Sequence, residues 1–349
     1  MVIYTQKTMY GVRIMNQNSS GRVTLKDIAE RCGYTANTVS RALRNDEKLP
    51  ENTRKTIQQL AREMGYVRNY AASSLRSGRT KTLGLILGKM SNPYYAVVAD
   101  AVHEAASAFG YTLLTLCARE DPAQEMRAVE TALSRQVDGI LLFPSREGKE
   151  AVRRIQETGT PYVLMSRSLG SDQDDCVMCD EDEGGYLAAR HLLEAGRRKL
   201  AFLCVADIVY STEHRLKGFH RACDEFDIPA QDRHVSIGLS IEEIPAMLDS
   251  WRKEGVDGLF VFCDMEAWNA ISGLESLGAK IPEDIAVVGY DNIQAKIAFP
   301  MPLCTIDPSI NEMIDIALDV LFKRIHNEAL ETQFVKVPAR LVCRHSCGK

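Results

Sequence analysis

The chain has 349 residues, 45% of them hydrophobic, with 10 Cys and a formal net charge of −5. That length supports two or three packed cores, and no apolar run approaches the ~20 residues needed to span a bilayer. Residues 1–80 hold 14 Lys and Arg against 6 Asp and Glu, a net of +8, which leaves −13 on the rest; a basic head on an acidic body fits a nucleic-acid-binding module joined to a domain that does not touch DNA.

Residues 1–21 are mixed and polar, without the continuous apolar segment of a secretion signal. They are expected to form a disordered extension, with Met9 or Met15 as alternative starts.

Residues 22–68 carry the most informative pattern. Thr24 is an N-cap whose hydroxyl can accept the N–H of Asp27, and Asp27 and Glu30 suit the positive end of a helix. Ile28 and Ala29 face inward. Gly33 permits a left-handed turn, and Thr35 caps a second helix in which Val39 and Leu43 form the buried stripe. Its opposite face carries Ala36, Asn37, Thr38, Ser40, Arg41 and Arg44. Asn37 and Arg41 are four apart and project together, Asn matching adenine and Arg guanine, while Ala36 can touch a thymine methyl. This is a helix-turn-helix, a pattern made for a DNA major groove. Pro50 opens a third helix with Ile57, Leu60 and Ala61 inward and Arg54 in its first turn, placed to meet phosphate. Residues 69–80 form a linker with one helix-compatible run, from Tyr70 to Arg76, too short to be stable alone in water.

From residue 81 to 349, apolar strands alternate with amphipathic helices, the pattern of parallel sheets covered on both sides. Strands are expected at 83–87, 111–117, 139–143, 162–166, 176–179, 199–204, 258–262 and 285–290. The fold class is therefore an all-α helix-turn-helix head plus an α/β core of two Rossmann-like, doubly wound subdomains. Asp138-Gly139 and Asp257-Gly258 look like equivalent positions in the two halves. Phosphate-binding, nucleophile-elbow and zinc-protease signatures are all missing, so a binding cleft at strand C-termini fits better than an enzyme. Tyr94 and Tyr95, following the first strand, offer aromatic faces to a sugar or base.

Ten scattered Cys in a large chain suit reduced thiols in a cytoplasm. Cys176 and Cys179 have C-x-x-C spacing but lie in a strand, where residues three apart point to opposite faces. Cys343, His345 and Cys347 alternate along an expected terminal strand, yet no fourth ligand is evident. No metal and no cofactor are expected.

The order of helix-turn-helix, third helix, Gly65-Tyr66-x-x-Asn69-x-Ala71-Ala72-x-x-Leu75 and α/β core resembles the lactose-repressor (LacI/GalR) family of bacterial transcription regulators. The resemblance implies that the Tyr70 to Arg76 run is a hinge helix that folds when two subunits meet on DNA. Leu75 would wedge into the minor groove, with Asn69, Ala72 and Arg76 alongside; such a wedge unstacks a base step and bends the duplex. It also implies a core of periplasmic-binding-protein type, crossed three times by the chain, near 180–181, 305–307 and 327–333. The first subdomain would then hold about 81–180 and 307–327, and the second about 181–306 and 328–349. Arg215, in Arg215-Leu216-Lys217-Gly218-Phe219, matches the family's effector-binding arginine, and Asp291 its aspartate. Asp264 and Ser166 match further effector positions, although Cys263 replaces the usual Asn before Asp264 and Ser166 a frequent Asp or Asn. Arg68 stands where the family has Pro. The implied protein is a sequence-specific repressor binding a palindromic operator as a cytoplasmic homodimer, under control of a small sugar-like effector. The missing heptad tail favours a dimer over a tetramer. A transport protein built on the same core would lack the helix-turn-helix, and an α/β enzyme with a basic appendage would turn over its ligand.

Overall fold

The structure, a computed structural model, describes residues 23–67, 78–171, 173–205, 209–240, 242–298 and 302–348. The expected N-terminal extension and the hinge run, with Asn69, Ala72, Leu75 and Arg76, lie outside these residues. Contacts divide the chain into two units, residues 1–76 and 77–349. No helix among the described residues is long and apolar enough to cross a membrane.

The first unit contains α1 (Leu25–Cys32), α2 (Ala36–Leu43) and α3 (Glu51–Glu63). The Thr24 hydroxyl accepts the Asp27 N–H at 3.3 Å, while the Asp27 carboxylate accepts the Thr24 N–H at 2.7 Å, a reciprocal cap. Gly33 sits at φ 75° and ends α1. Thr35 caps α2 by accepting from Thr38 N–H at 3.2 Å, whereas Pro50 begins α3 without a side-chain cap. Ile28, Ala29, Val39, Ala42, Ile57 and Ala61 make the core. Leu43, expected in the buried stripe beside Val39, is only half-buried, and Ala42 takes the inner position. Its small side chain lets α3 approach closely enough for Gln58 Nε2 to donate to the Ala42 carbonyl at 2.9 Å.

The second unit begins with β1 (Thr82–Leu87), α4 (Pro93–Ala108), β2 (Thr112–Cys117), α5 (Pro122–Ser134), β3 (Gly139–Leu142), α6 (Lys149–Thr158), β4 (Tyr162–Met165) and β5 (Cys176–Cys179). The chain then builds a second sheet through α7 (Glu181–Glu194), β6 (Leu200–Cys204), α8 (Tyr210–Glu225), β7 (Arg233–Ile237), α9 (Ile244–Glu254), β8 (Gly258–Val261), α10 (Asp264–Ser276), β9 (Ala286–Tyr290) and β10 (Cys304–Asp307). It returns through α11 (Ile310–Ile325) and β11 (Phe334–Val337), and finishes with β12 (Arg340–Val342). The sheet orders are β11-β5-β4-β3-β1-β2 and β12-β10-β9-β8-β6-β7, parallel except where β12 runs against β10.

These pairings revise one boundary. β11 pairs in parallel with β5, Phe334 opposite Cys176, so residues 334–337 complete the first sheet. The last crossing falls at Pro338 and Ala339 instead of within 327–333. The terminal strand also stops at Val342, so Cys343, His345 and Cys347 do not alternate along it. The expected inner duplication is present in detail. Asp138 accepts the N–H groups of Thr80 and Lys81 at the entry to β1, and Asp257 accepts those of Arg198 and Lys199 at the entry to β6. Cys176 and Cys179 fall in cores on opposite faces of the first sheet, which removes the C-x-x-C spacing as a joint ligand pair.

Candidate nucleic-acid interface and ligand cleft

On the head, Thr35, Ala36 and Asn37 are exposed at the start of α2, where helix N-terminal residues reach base edges in this motif. Thr24 is exposed at the start of α1, and Thr38 and Ser40 are half-buried. Two expected DNA contacts are already engaged. Arg41 Nε donates to Asp46 Oδ2 at 2.8 Å, and this bond holds the Asp46 carboxyl below its usual range. Arg54 Nη1 donates to the Asn45 carbonyl at 3.3 Å, fastening the loop between α2 and α3.

In the second unit, the ends of the parallel strands converge on a cleft of about 330 Å³. Its lining follows strand by strand: Ser91 and Asn92 past β1, Glu120 past β2, Phe143 past β3, Ser166 and Arg167 past β4, Val205 past β6, Phe262 and Cys263 past β8, Asp291 past β9 and Pro308 past β10. This is where open α/β sheets collect ligands. Of the six residues expected here, Tyr94, Tyr95, Ser166, Arg215 and Asp291 line the cleft. Tyr94 Oη and Ser166 Oγ share a hydrogen bond of 3.1 Å.

Asp264 is not among the lining residues. It is fully buried, with Oδ1 accepting from Thr305 Oγ1 at 2.6 Å and Oδ2 accepting from Ile293 N–H at 2.9 Å. Burial raises its carboxyl to about 7. It braces the turn that carries Asp291, whose backbone sits at φ 109° beside Asn292 at φ 49°. Left-handed conformations at two successive non-glycine residues store a few kcal/mol and persist only where the surroundings fix them. Here Asp291 N–H donates to the Ile306 carbonyl at 2.8 Å and Asn292 Nδ2 to Asp307 Oδ2 at 2.9 Å. Burial pushes the Asp291 carboxyl well above its ordinary value, against the pull of Arg215.

Arg215 is clamped from several sides. Its Nε donates to Glu181 Oε2 at 2.7 Å, Nη1 donates to the Phe262 carbonyl at 2.5 Å, and its Cζ lies 3.4 Å from the Tyr290 ring centre. Burial opposes its charge, yet the adjoining Glu181 carboxylate outweighs this and holds its pKa well above the usual value. Gly185 and Gly218 bring the elements together: a Cβ on Gly185 would overlap the Arg215 carbonyl, and one on Gly218 the Asp182 carbonyl. On the facing side Arg167 Nη1 pairs with Glu120 Oε2 at 2.7 Å, and Tyr95 Oη donates to Glu120 Oε1 at 3.0 Å. Glu266 accepts Val205 N–H at 3.0 Å, and burial raises its carboxyl to about 7. Glu120, Arg167, Glu181 and Glu266 were not anticipated. Glu120 and Arg167 follow strands directly, so position past a strand end was the available signal.

Residues 24–69 match the lacI family of bacterial regulatory proteins, and residues 189–347 match a periplasmic binding protein-like domain. The chain thus joins a lacI-type helix-turn-helix domain to a periplasmic binding protein-like domain, and its homologues are lacI-family regulators. It is a DNA-binding transcription regulator. It is similar to the HTH-type transcriptional regulator DegA of Bacillus subtilis (strain 168), 28% identical over 334 residues covering 93% of this chain and 98% of the relative. It is also similar to the HTH-type transcriptional repressor PurR of Aliivibrio salmonicida (strain LFI1238), 28% identical, with 93% and 99% covered. Among solved structures it resembles a transcriptional regulator CelR–cellobiose complex (25% identity, TM-score 0.68, 93% and 100% covered). The Lac repressor bound to ONPG in the repressed state shares the fold (22% identity, TM-score 0.79, 93% and 100% covered).

Proposed function

We propose that this regulator is a cytoplasmic repressor that binds a palindromic operator as a homodimer and takes a sugar or sugar derivative in its cleft. The observation that carries the ligand reading is the cleft itself, where aromatic faces (Tyr94, Phe143, Phe262) stand among hydroxyl and carboxylate groups (Ser166, Asp291, Glu266). Flat apolar faces stack on a sugar ring, while the polar groups bond its hydroxyls. Two-fold symmetry follows from the short reading helix, since two copies one duplex turn apart are needed for specific affinity. Ala36, Asn37, Thr38, Ser40 and Arg41 read bases, while Thr24, Thr35 and Arg54 meet the backbone. Asn69, Ala72, Leu75 and Arg76 would engage the minor groove. Ligand closes the cleft and changes how the paired first subdomains meet, and operator affinity shifts by linkage.

The cleft's ion pairs bind one another and leave no nucleophile activated by a base among the described residues, which favours sensing over catalysis. A thermal-shift screen of the full chain against a carbohydrate panel tests the reading, because a ligand of the native state raises its melting point. A hit that also changes operator affinity, and is recovered chemically unaltered, is expected. A ligand consumed by the protein would contradict it.

A further inference from the structure

Four potential metal ligands meet far from the cleft. His191 lies near the C-terminal end of α7, Cys304 is the first residue of β10, and Cys343 and Cys347 follow β12. One ligand atom from each lies within 4.8 Å of all the others, and the Cys343 and Cys347 sulfurs are 3.5 Å apart. Tetrahedral zinc with Zn–S bonds of about 2.3 Å requires sulfurs about 3.8 Å apart, so the pair already has zinc-site spacing. A shift on the order of 1 Å would close the set around one ion.

A second, independent observation points the same way. His191 is only 5% exposed, and its Nε2 is buried without a hydrogen-bond partner. A buried ring nitrogen without a partner is costly unless something occupies its lone pair or proton. The surroundings also hold Cys304 in place. Arg344 N–H donates to Cys304 Sγ at 3.0 Å, and the Arg344 guanidinium is anchored nearby on the Leu303 carbonyl and Asn292 Oδ1. An amide donor of this kind orients and supports metal-bound sulfur. His345, next to the same cysteines in sequence, does not join them. The residue is exposed, its backbone N–H donates to the Pro302 carbonyl and its own carbonyl accepts the Gly348 N–H.

We propose that His191, Cys304, Cys343 and Cys347 form a closed structural zinc site. The three thiols release their protons on binding, leaving a Cys3His centre with no open position for chemistry. α7 and β10 each have their other end at the cleft, so the site lies at the opposite end of the second subdomain. There it secures the terminal segment, whose Ser346 Oγ accepts Cys304 N–H at 2.8 Å and donates to the Val287 carbonyl at 2.7 Å.

The test is metal analysis of the full chain, purified reduced and without chelator from zinc-replete cells. About one zinc per chain is expected, and demetallated protein given cobalt(II) should show the visible bands of a tetrahedral thiolate site. His191→Gln should abolish that spectrum, as should Cys343→Ser, which alters an exposed side chain and spares the fold as read by circular dichroism. Each should weaken zinc binding at least the roughly 100-fold attributed to outer-shell partners alone. His345→Ala should retain the metal. A chain that takes up neither zinc nor cobalt overturns the proposal. So does a cobalt spectrum indifferent to Cys343→Ser, or quantitative recovery of a Cys343–Cys347 disulfide from the same preparation.

Discussion

The Nε of Arg215 donates to Glu181 Oε2 at 2.7 Å, with both side chains more than nine-tenths buried. A buried cation without its partner is strongly destabilising, typically by 3–5 kcal/mol, whereas replacing both charges with apolar groups is often close to neutral. Glu181→Gln should therefore lower unfolding free energy by about 3–5 kcal/mol. The double change Glu181→Met with Arg215→Met should recover much of it. Urea unfolding of the three proteins decides this, and a single variant as stable as the double would refute the clamp.

Gly185 sets the approach between α7 and α8, which carry that pair. Gly185→Ala would drive a Cβ into the Arg215 carbonyl, and overpacking against backbone should cost about 3 kcal/mol or more. Loss of ligand-induced thermal stabilisation should accompany the lower melting point. An unchanged melting point would mean that the helices part easily.

Burial raises Asp264 and Glu266 to about 7, from ordinary values of 3.8 and 4.5. A carboxyl that holds its proton more tightly in the folded state favours that state at low pH. This stabilisation is full below the unfolded value and is lost as pH rises through the folded one. Core stability should thus decline between about pH 4 and pH 7. Glu266→Gln can keep the Val205 N–H bond while removing one titrating group, so it should flatten the decline. Unfolding midpoints measured across that range check it; an identical slope in the variant would exclude Glu266 as a source.

On the head, Asp46 holds Arg41. Asp46→Ala should free the guanidinium and remove a negative charge, strengthening binding to any duplex and steepening its salt dependence by about one unit of log–log slope. Asn37→Ala should instead cost about 1–3 kcal/mol on the matched operator alone. Anisotropy titrations on matched and scrambled duplexes separate the two, and equal losses for Asn37→Ala on both would remove it from base reading.

Legibility followed chemistry. The helix-turn-helix could be read because caps, a turn glycine and spacing act within a few residues, as at Thr24, Gly33 and Thr35. Continuous apolar strands such as β1 and β6 were equally plain. The polar strand β7 and the short β10, β11 and β12 were not predicted with their bounds, because their pairing is decided by distant partners. In the cleft, Arg215 and Asp291 stood out by local motif. The bracing role of Asp264 depends on Thr305 and Ile293, far along the chain, and so is not a local signal. For the same reason His191 and Cys304 could not be joined to Cys343 and Cys347 from spacing.

The central claim is ligand-tuned, symmetric recognition of duplex DNA by paired heads. Its most direct measurement is an anisotropy titration of the full-length chain on genomic fragments at several salt concentrations, with and without a ligand that raises its melting point. The account predicts a dimer on a two-fold symmetric site, affinity falling steeply with salt, and a ligand-dependent shift in that affinity. A strictly monomeric chain with equal, ligand-indifferent affinity for every fragment would contradict it.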